Sequence, residues 1–152
     1  SMAAGIKLHE NQLVRSMALL SSNIKKNRSN LSLNRVVEID SLITINGANL
    51  DLVEEMNLIG PFGAGNAFPI VAIANCQIKY IKTVANKHLK FMCMDPTGKK
   101  LEAIFFNSAE TQAGRQLLQN NGASFNLCGK LEINDWGGYR RVVLKIEDVA
   151  TI

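Results

Sequence analysis

The side chains that hydrolytic chemistry requires are few in this sequence, and they are scattered. A metal-dependent hydrolase holds its ions with clustered aspartate and histidine side chains, because hard cations need several carboxylate oxygens at once. The candidates are His9, His88, Asp40, Asp51, Asp95, Asp135 and Asp148. No two of them stand at a ligand-like spacing, and a Ser–His or Cys–His dyad could arise only by chance in the fold. We therefore predict no catalytic residue and no metal ligand in this chain.

The three cysteines, Cys76, Cys93 and Cys128, lie far apart, each within an apolar run typical of a strand. A disulfide framework uses an even number of cysteines, and a tetrahedral zinc site usually takes its ligands in close pairs. Because the number is odd and there is no CxxC pair, we interpret all three as buried small hydrophobic residues.

The chain has a formal net charge of +4, and its excess of positive charge is concentrated in the second part. Residues 1–60 hold six Lys or Arg and six acids, whereas residues 61–152 hold eleven bases and seven acids. A polyanionic partner requires such an excess, because lysine and arginine neutralise phosphates and release condensed counterions. A generic basic surface has the same composition, so charge alone leaves both interpretations open.

Neither a membrane span nor a secretory signal is visible. No run of about 18 uncharged apolar residues could cross a bilayer, and residues 1–5 lack a basic segment followed by an apolar run. We expect a cytoplasmic protein with no membrane partner.

Alternation along the strand-like segments assigns several bases to one outer face. Neighbouring side chains of a strand point to opposite sides, so Leu89, Phe91 and Cys93 would fill a core. His88, Lys90 and Met92 would then face outward. The bases assigned to this face or its edge are Lys87, His88, Lys90, Lys130, Arg141 and Lys145. For His88, a neutral hydrogen-bonded strand residue remains the alternative.

Two aromatic residues and a base gather at the last turn, where Trp136, Tyr139 and Arg140 stand within five positions. Proteins that bind single-stranded nucleic acid combine a basic groove with aromatic faces on which bases stack. We predict that role for these residues; packing of Trp136 on the rim of the fold is the alternative.

A glycine-containing loop, with Gly63, Gly65 and Asn66, could cradle a phosphate with backbone N–H groups. It lacks the lysine and hydroxyl of a phosphate-binding P-loop. The favoured interpretation is a tight connection into the next strand, with Asn66 bonding backbone groups across it.

The elements before residue 60 do not enclose a core. A strand over residues 3–8 and a helix over 9–26, with apolar residues at spacings of three and four, would be the remnant of a larger domain. We place a boundary at 27–34, a strand at 36–45, and then a short helix capped by Asn49.

From residue 69 the pattern changes to strands. We predict strands at 69–84, 88–95, 99–107, 124–135 and 139–149, and a helix near 109–120 with Ser108 as its N-cap. Five strands with a helix between the third and fourth are typical of an OB-fold, a partly open barrel. The predicted fold class is mainly β with helices (α+β), a five-stranded OB-fold-like barrel preceded by a strand–helix remnant. The predicted segments are 1–30 (remnant), 31–60 (linker) and 61–152 (barrel).

Four ordered stretches resemble the C-terminal part of the RecJ family. They are Leu58–Asn66, Lys87–Lys90, Ala103–Asn107 and Leu131–Gly138, the last with Glu147-Asp148-Val149 following. Ala3-Ala4-Gly5 is similar to the end of the glycine- and histidine-containing motif of that family's DHH-associated domain.

The resemblance implies part of a 5′-to-3′ exonuclease that acts on single-stranded DNA in recombination and repair, with Mn²⁺ or Mg²⁺ as its metal. The family's Asp-His-His domain would lie upstream, so this chain should bind DNA without cutting it. In the family the OB-fold grips the single strand, and His88, Lys90, Arg140 and Arg141 match its basic positions.

Two departures from the family pattern stand out. The loop continues as Ala67-Phe68-Pro69 instead of placing proline directly after Asn66, and Val143 replaces a glutamine common in the last strand.

Other roles remain open beside binding of single-stranded DNA. One is a platform that docks on the upstream catalytic domain or on a single-strand-binding protein; another is an enzyme in its own right. A truncated strand at the chain start could also expose an edge that pairs with a second copy.

Overall fold

The computed structural model describes residues 5–27 and 36–151, apart from the side chains of Asn27 and Trp136. The described residues form two compact units, one ending at Val36 and one beginning at Val37. None of the helices described is both long enough and apolar enough to cross a membrane.

The described part of the first unit is one α-helix preceded by a short 3-10 turn. A 3-10 turn at Glu10–Gln12 runs into helix α1, Leu13–Asn27, which confirms the predicted helix. The strand predicted at residues 3–8 is not found in the described part, Gly5–Leu8. Residues 1–4 lie outside the described residues, as does most of the boundary predicted at 27–34.

The second unit begins with a much shorter strand than the one predicted at residues 36–45. Only β1, Ser41–Leu42, forms, paired in parallel with Val71 and Ala72. It is short because the strand that it joins offers this edge only at its first residues. From Gln77 onward the next strand of the barrel occupies the edge.

Helix α2, Leu50–Leu58, follows as predicted. The Oδ1 of Asn49 accepts a hydrogen bond from the backbone N–H of Leu52 at 2.9 Å, which confirms the N-cap. Val53 and Met56 are buried in the core of the unit, with 1% and 7% of their surface exposed.

Five strands close into a barrel, which confirms the predicted fold class. They are β2 (Val71–Val84), β3 (His88–Met94), β4 (Lys100–Phe105), β5 (Ser124–Asn134) and β6 (Arg141–Thr151). The strand order is β1-β2-β3-β4-β6-β5, and a β2–β5 pairing closes the ring. The β4–β6 pair is parallel, whereas the other barrel pairs are antiparallel.

Strand β2 can pair on both edges because two bulges bend it. Between Ile73 and Cys76, β2 advances three residues while its partner β5 advances two. Between Lys79 and Lys82, β2 again advances three residues while β3 advances two. The extra residue in each stretch makes a β-bulge. Asn75 and Tyr80, inside these shifts, have positive φ angles of 53° and 56°. Each bulge resets the alternation, so that Ile73, Cys76, Ile78 and Ile81 all contribute to the core.

Alternating side chains of the barrel strands fill its interior. The largest residues with less than 2% exposure there are Ile78, Leu89, Phe91, Phe125, Leu127, Leu131 and Leu144. All three cysteines are buried, as predicted. A hydrogen bond with Cys76, together with burial, raises the pKa of the Cys93 thiol well above its ordinary 9.0, so this thiol stays protonated.

Helix α3, Gln112–Gln119, starts later than predicted. Its N-cap is Thr111, whose Oγ1 accepts from the N–H of Gly114, so the predicted cap at Ser108 is wrong. Ser108 is fully buried, and its hydroxyl donates to the carbonyl of Phe105 at 2.8 Å. A Cβ at Gly114 would lie 1.8 Å from the carbonyl oxygen of Ser108, so the helix can approach the loop that follows β4 only through glycine.

Replacing Gly129 by alanine should destabilise the barrel, because the new Cβ would lie 2.0 Å from the carbonyl oxygen of Lys145 on β6. We expect the free energy of unfolding, measured in urea, to fall by about 1–3 kcal/mol or more. Gly65→Ala is the matched control, since nothing lies within 4 Å of its Cβ position. Equal stability of the two variants would contradict the packing described for β5.

Candidate nucleic-acid interface

A row of lysines crosses the outer face of the barrel. Cross-strand partners point to the same side of a sheet, and Lys82 is paired with Lys90, Lys90 with Ile104, and Ile104 with Lys145. Lys130 on β5 is opposite Lys145. We call Lys82, Lys90, Lys145 and Lys130, with Ile104 between them, the basic row. At the usual spacing between strands of about 4.8 Å, it extends roughly 19 Å across the barrel.

The basic row is not a favourable arrangement for the barrel alone. It contains two pairs of directly opposed lysines, Lys82 with Lys90 and Lys130 with Lys145. Like charges directly opposite each other destabilise a sheet. A phosphate backbone lying across the row would remove this repulsion.

Carboxylates in the neighbouring cross-strand row compensate part of this charge. Glu102 pairs with Lys90 at 2.5 Å and with Arg141 at 3.5 Å, so it brings together two of the predicted binding residues. Glu132 pairs with Lys145. The pair between Lys130 and Glu147 is longer, at 3.8 Å.

An exposed aromatic ring lies on the other side of the basic row. Phe106 follows the end of β4, two residues beyond Ile104, and is 46% exposed. The Nζ of Lys145 lies 5.9 Å from the ring centroid, within cation–π range. Three outward positions therefore follow one another along β4 and just beyond its end. Glu102 is an acid, Ile104 lies within the basic row between Lys90 and Lys145, and Phe106 is an aromatic ring.

His88 holds this aromatic ring in place. Its Nδ1 accepts a hydrogen bond from the backbone N–H of Asn107 at 2.9 Å. Its ring also meets that of Phe106 edge-on, with the centroids 5.1 Å apart. This contact fits the alternative left open for His88, a hydrogen-bonded strand residue. The predicted role of His88 in binding nucleic acid stays a prediction.

These side chains line an open groove of about 460 Å³. Its lining residues are Lys90, Glu102, Ile104, Phe106, Glu132, Ile133, Asn134, Asp135, Val143 and Lys145. It combines bases, acids, an amide and apolar surface, which suits a ligand with both charged and flat apolar parts.

The predicted residues of the last turn are Trp136, Tyr139 and Arg140. Arg140 donates to Glu54 of α2 at 2.8 Å and to Asp135 at 3.3 Å, and the pair with Glu54 raises its pKa. Tyr139 is 81% exposed. Trp136 lies in a 3-10 turn, Trp136–Gly138, and its side chain is outside the described residues.

The other predicted residues lie at loops. Lys87 is exposed in the turn between β2 and β3. Gly63 and Asn66 exchange two backbone hydrogen bonds, of 2.8 and 3.2 Å. The side chain of Asn66 donates to the carbonyls of Ile59 and Pro61 at 3.0 and 3.2 Å, which agrees with the predicted tight connection.

Phe106 and Lys82 complete the site but are absent from the residues predicted for it. The pair Phe105-Phe106 contained a signal, because adjacent strand residues face opposite sides and only one of the two rings can enter the core. For Lys82 there was no comparable signal, since its outward position depends on the bulge at Tyr80.

The described residues do not fit a Mg²⁺ or Mn²⁺ site. Among them, no three His, Cys, Asp or Glu side chains come together in a way that could hold a metal ion. The carboxylates of the groove are engaged by lysine and arginine.

The fold and the groove define an OB-fold module with a basic and aromatic outer face. The family model of the RecJ OB domain matches residues 39–148, and the chain belongs to this family. The resemblance noted in the sequence is therefore confirmed.

Individual relatives agree with this assignment. The chain is 29% identical over 117 residues to the single-stranded-DNA-specific exonuclease RecJ of Bacillus subtilis, a match that covers 76% of this chain and 14% of that protein. Two structures of Thermus thermophilus RecJ, in complex with Mg²⁺ and with Mn²⁺, superpose with TM-scores of 0.65 and 0.66 at 15% identity. They cover 95% and 97% of this chain, which spans 21% and 20% of theirs.

Changing His88 to phenylalanine should release the loop that carries Phe106, because the N–H of Asn107 loses its acceptor. We expect faster hydrogen exchange at the Asn107 amide and a loss of about 0.5–1.5 kcal/mol in the free energy of unfolding. His9→Phe, the same change at an exposed position of the first unit, is the control. Unchanged exchange at Asn107 would show that the bond does not hold the loop.

Proposed function

We propose that this chain is the single-stranded-DNA-binding part of a RecJ-like exonuclease and that it binds the strand without cutting it. The observation that carries this proposal is the basic row, with its two directly opposed lysine pairs. Directly opposed like charges destabilise a sheet, and a polyanion lying across the row would offset the repulsion that the neighbouring carboxylates leave. The exposed ring of Phe106 beside the row offers a stacking surface for a base.

The strand would run across the barrel strands, with phosphates along the basic row and a base on Phe106. The row supplies charge without reading sequence, because lysine neutralises phosphates whatever the base. Stacking tolerates every base, since each has a π face. The groove is therefore suited to binding with little sequence preference.

Hydrolysis is proposed to belong to the rest of the parent protein. The chain corresponds to 14% of the length of the Bacillus relative, whose name describes a single-stranded-DNA-specific exonuclease. We infer a cytoplasmic parent that digests single strands from the 5′ end in repair and recombination, with Mn²⁺ or Mg²⁺ held outside this chain.

A docking role is the second candidate. Three large apolar side chains of the second unit, those of Leu42, Leu58 and Ile59, are 70%, 84% and 61% exposed. They would suit contact with the parent's own upstream domain. A single-strand-binding protein or a second copy, paired through a strand edge, remains a further proposal for this role.

The basic row can be tested by titrating a labelled single-stranded oligonucleotide at several salt concentrations. Lys145→Ala should weaken binding for every base sequence and reduce the slope of log Kd against log salt by at most about 0.7, the value for one phosphate that is no longer neutralised. Arg115→Ala on α3 removes the same charge away from the groove and should bind like the wild type. Absence of wild-type binding even at low salt would refute the proposed function.

The stacking role of Phe106 can be tested in the same assay. Phe106→Ala should weaken binding by about 1–3 kcal/mol, roughly 5- to 150-fold in Kd. Phe106→Leu keeps an apolar side chain but has no π face, so it should lose nearly as much affinity while retaining the folded barrel. If Phe106→Leu bound like the wild type, the ring would serve packing and not stacking.

A further inference from the structure

Glu102 holds a central position among the bases of the interface. Only 14% of its side chain is exposed, against 32% for Lys90 and 49% for Arg141. One carboxylate oxygen contacts Lys90 and the other contacts Arg141. Two of the residues that strand alternation and the family resemblance select for DNA binding, Lys90 and Arg141, are thus held by one carboxylate.

Glu132 repeats this arrangement two strands away. It is opposite Val143 on β6, in the same cross-strand row as Glu102, and it pairs with Lys145 of the basic row. Its side chain is 43% exposed. Three bases around the groove, Lys90, Arg141 and Lys145, are therefore matched by two carboxylates.

A DNA phosphate that contacts these bases competes for them with the carboxylates. A displaced carboxylate stays beside the incoming phosphate, where the two like charges repel and an ion from solution is taken up. Fewer counterions are then released in total, and the affinity falls less steeply with salt than the number of lysines suggests. Removing the carboxylate would abolish the repulsion of the phosphate and make the affinity fall more steeply with salt.

We propose that Glu102 competes with DNA phosphate for Lys90 and Arg141. This competition keeps the affinity for the strand low enough for the strand to advance. The competitor role of Glu102 rests on the proposed binding of single-stranded DNA. A nuclease that digests a strand stepwise must let its binding surface release and rebind the phosphates. A groove whose bases are shared with resident carboxylates meets this need, because each lysine has a partner in both the bound and the released state.

The test is Glu102→Gln, which keeps the shape of the side chain and removes its charge. We expect an oligonucleotide of thymidines to bind about 3- to 10-fold more tightly at low salt, with the slope of log Kd against log salt steeper by about 0.7 for each additional phosphate that is neutralised. Glu110→Gln, at an exposed position ahead of α3, changes the net charge equally and is the control. Its affinity and slope should stay close to those of the wild type.

The outcomes separate this inference from the proposed function. If the wild type binds but Glu102→Gln binds equally or more weakly, the competitor role is refuted while DNA binding stands. If the wild type does not bind, both fall. Should Glu102→Gln fail to fold, Glu132→Gln, at a more exposed position, is judged by the same two measurements, and an unchanged slope there overturns the inference.

Discussion

Strand β2 pairs on both of its edges, and the barrel could not close without this double pairing. A sheet of five strands becomes a barrel only if its first and last strands pair with each other. Strand β2 pairs with its neighbour β3 along one edge and with β5, at the far end of the sheet, along the other. Its two bulges supply the bend. They also set which side chains of β2 face outward, so the closure of the barrel and the position of Lys82 have the same cause.

Electrostatics adds a second constraint on the outer face. The lysines of the basic row are brought together by strand register and not by attraction, and the neighbouring carboxylates compensate them only in part. Exposed ion pairs contribute little to stability, typically about 0–1 kcal/mol each. The lysine row is therefore the feature on which the proposed binding of a polyanion rests.

Several parts of the structure followed directly from local sequence patterns. The helices at α1 and α2, the Asn49 cap and the barrel strands agree with periodicity and capping preferences, because these depend on neighbouring residues. The strand predicted at residues 36–45 was wrong in extent because its pairing depends on a partner edge used by β3 further along. The cap predicted at Ser108 was wrong because burial, which local pattern does not reveal, engages its hydroxyl with Phe105.

Local sequence patterns were enough to predict the class of fold and part of the candidate interface. Alternation along β3, β5 and β6 placed Lys90, Lys130 and Arg141 outside, since the period of a strand is local geometry. Which of these charges meet depends on the three-dimensional fold. It joined Lys90 and Arg141 through Glu102, diverted Arg140 to Glu54, and brought Phe106 next to Lys145. These contacts connect residues far apart in the chain, and they depend on barrel closure and strand register, which no local pattern contains.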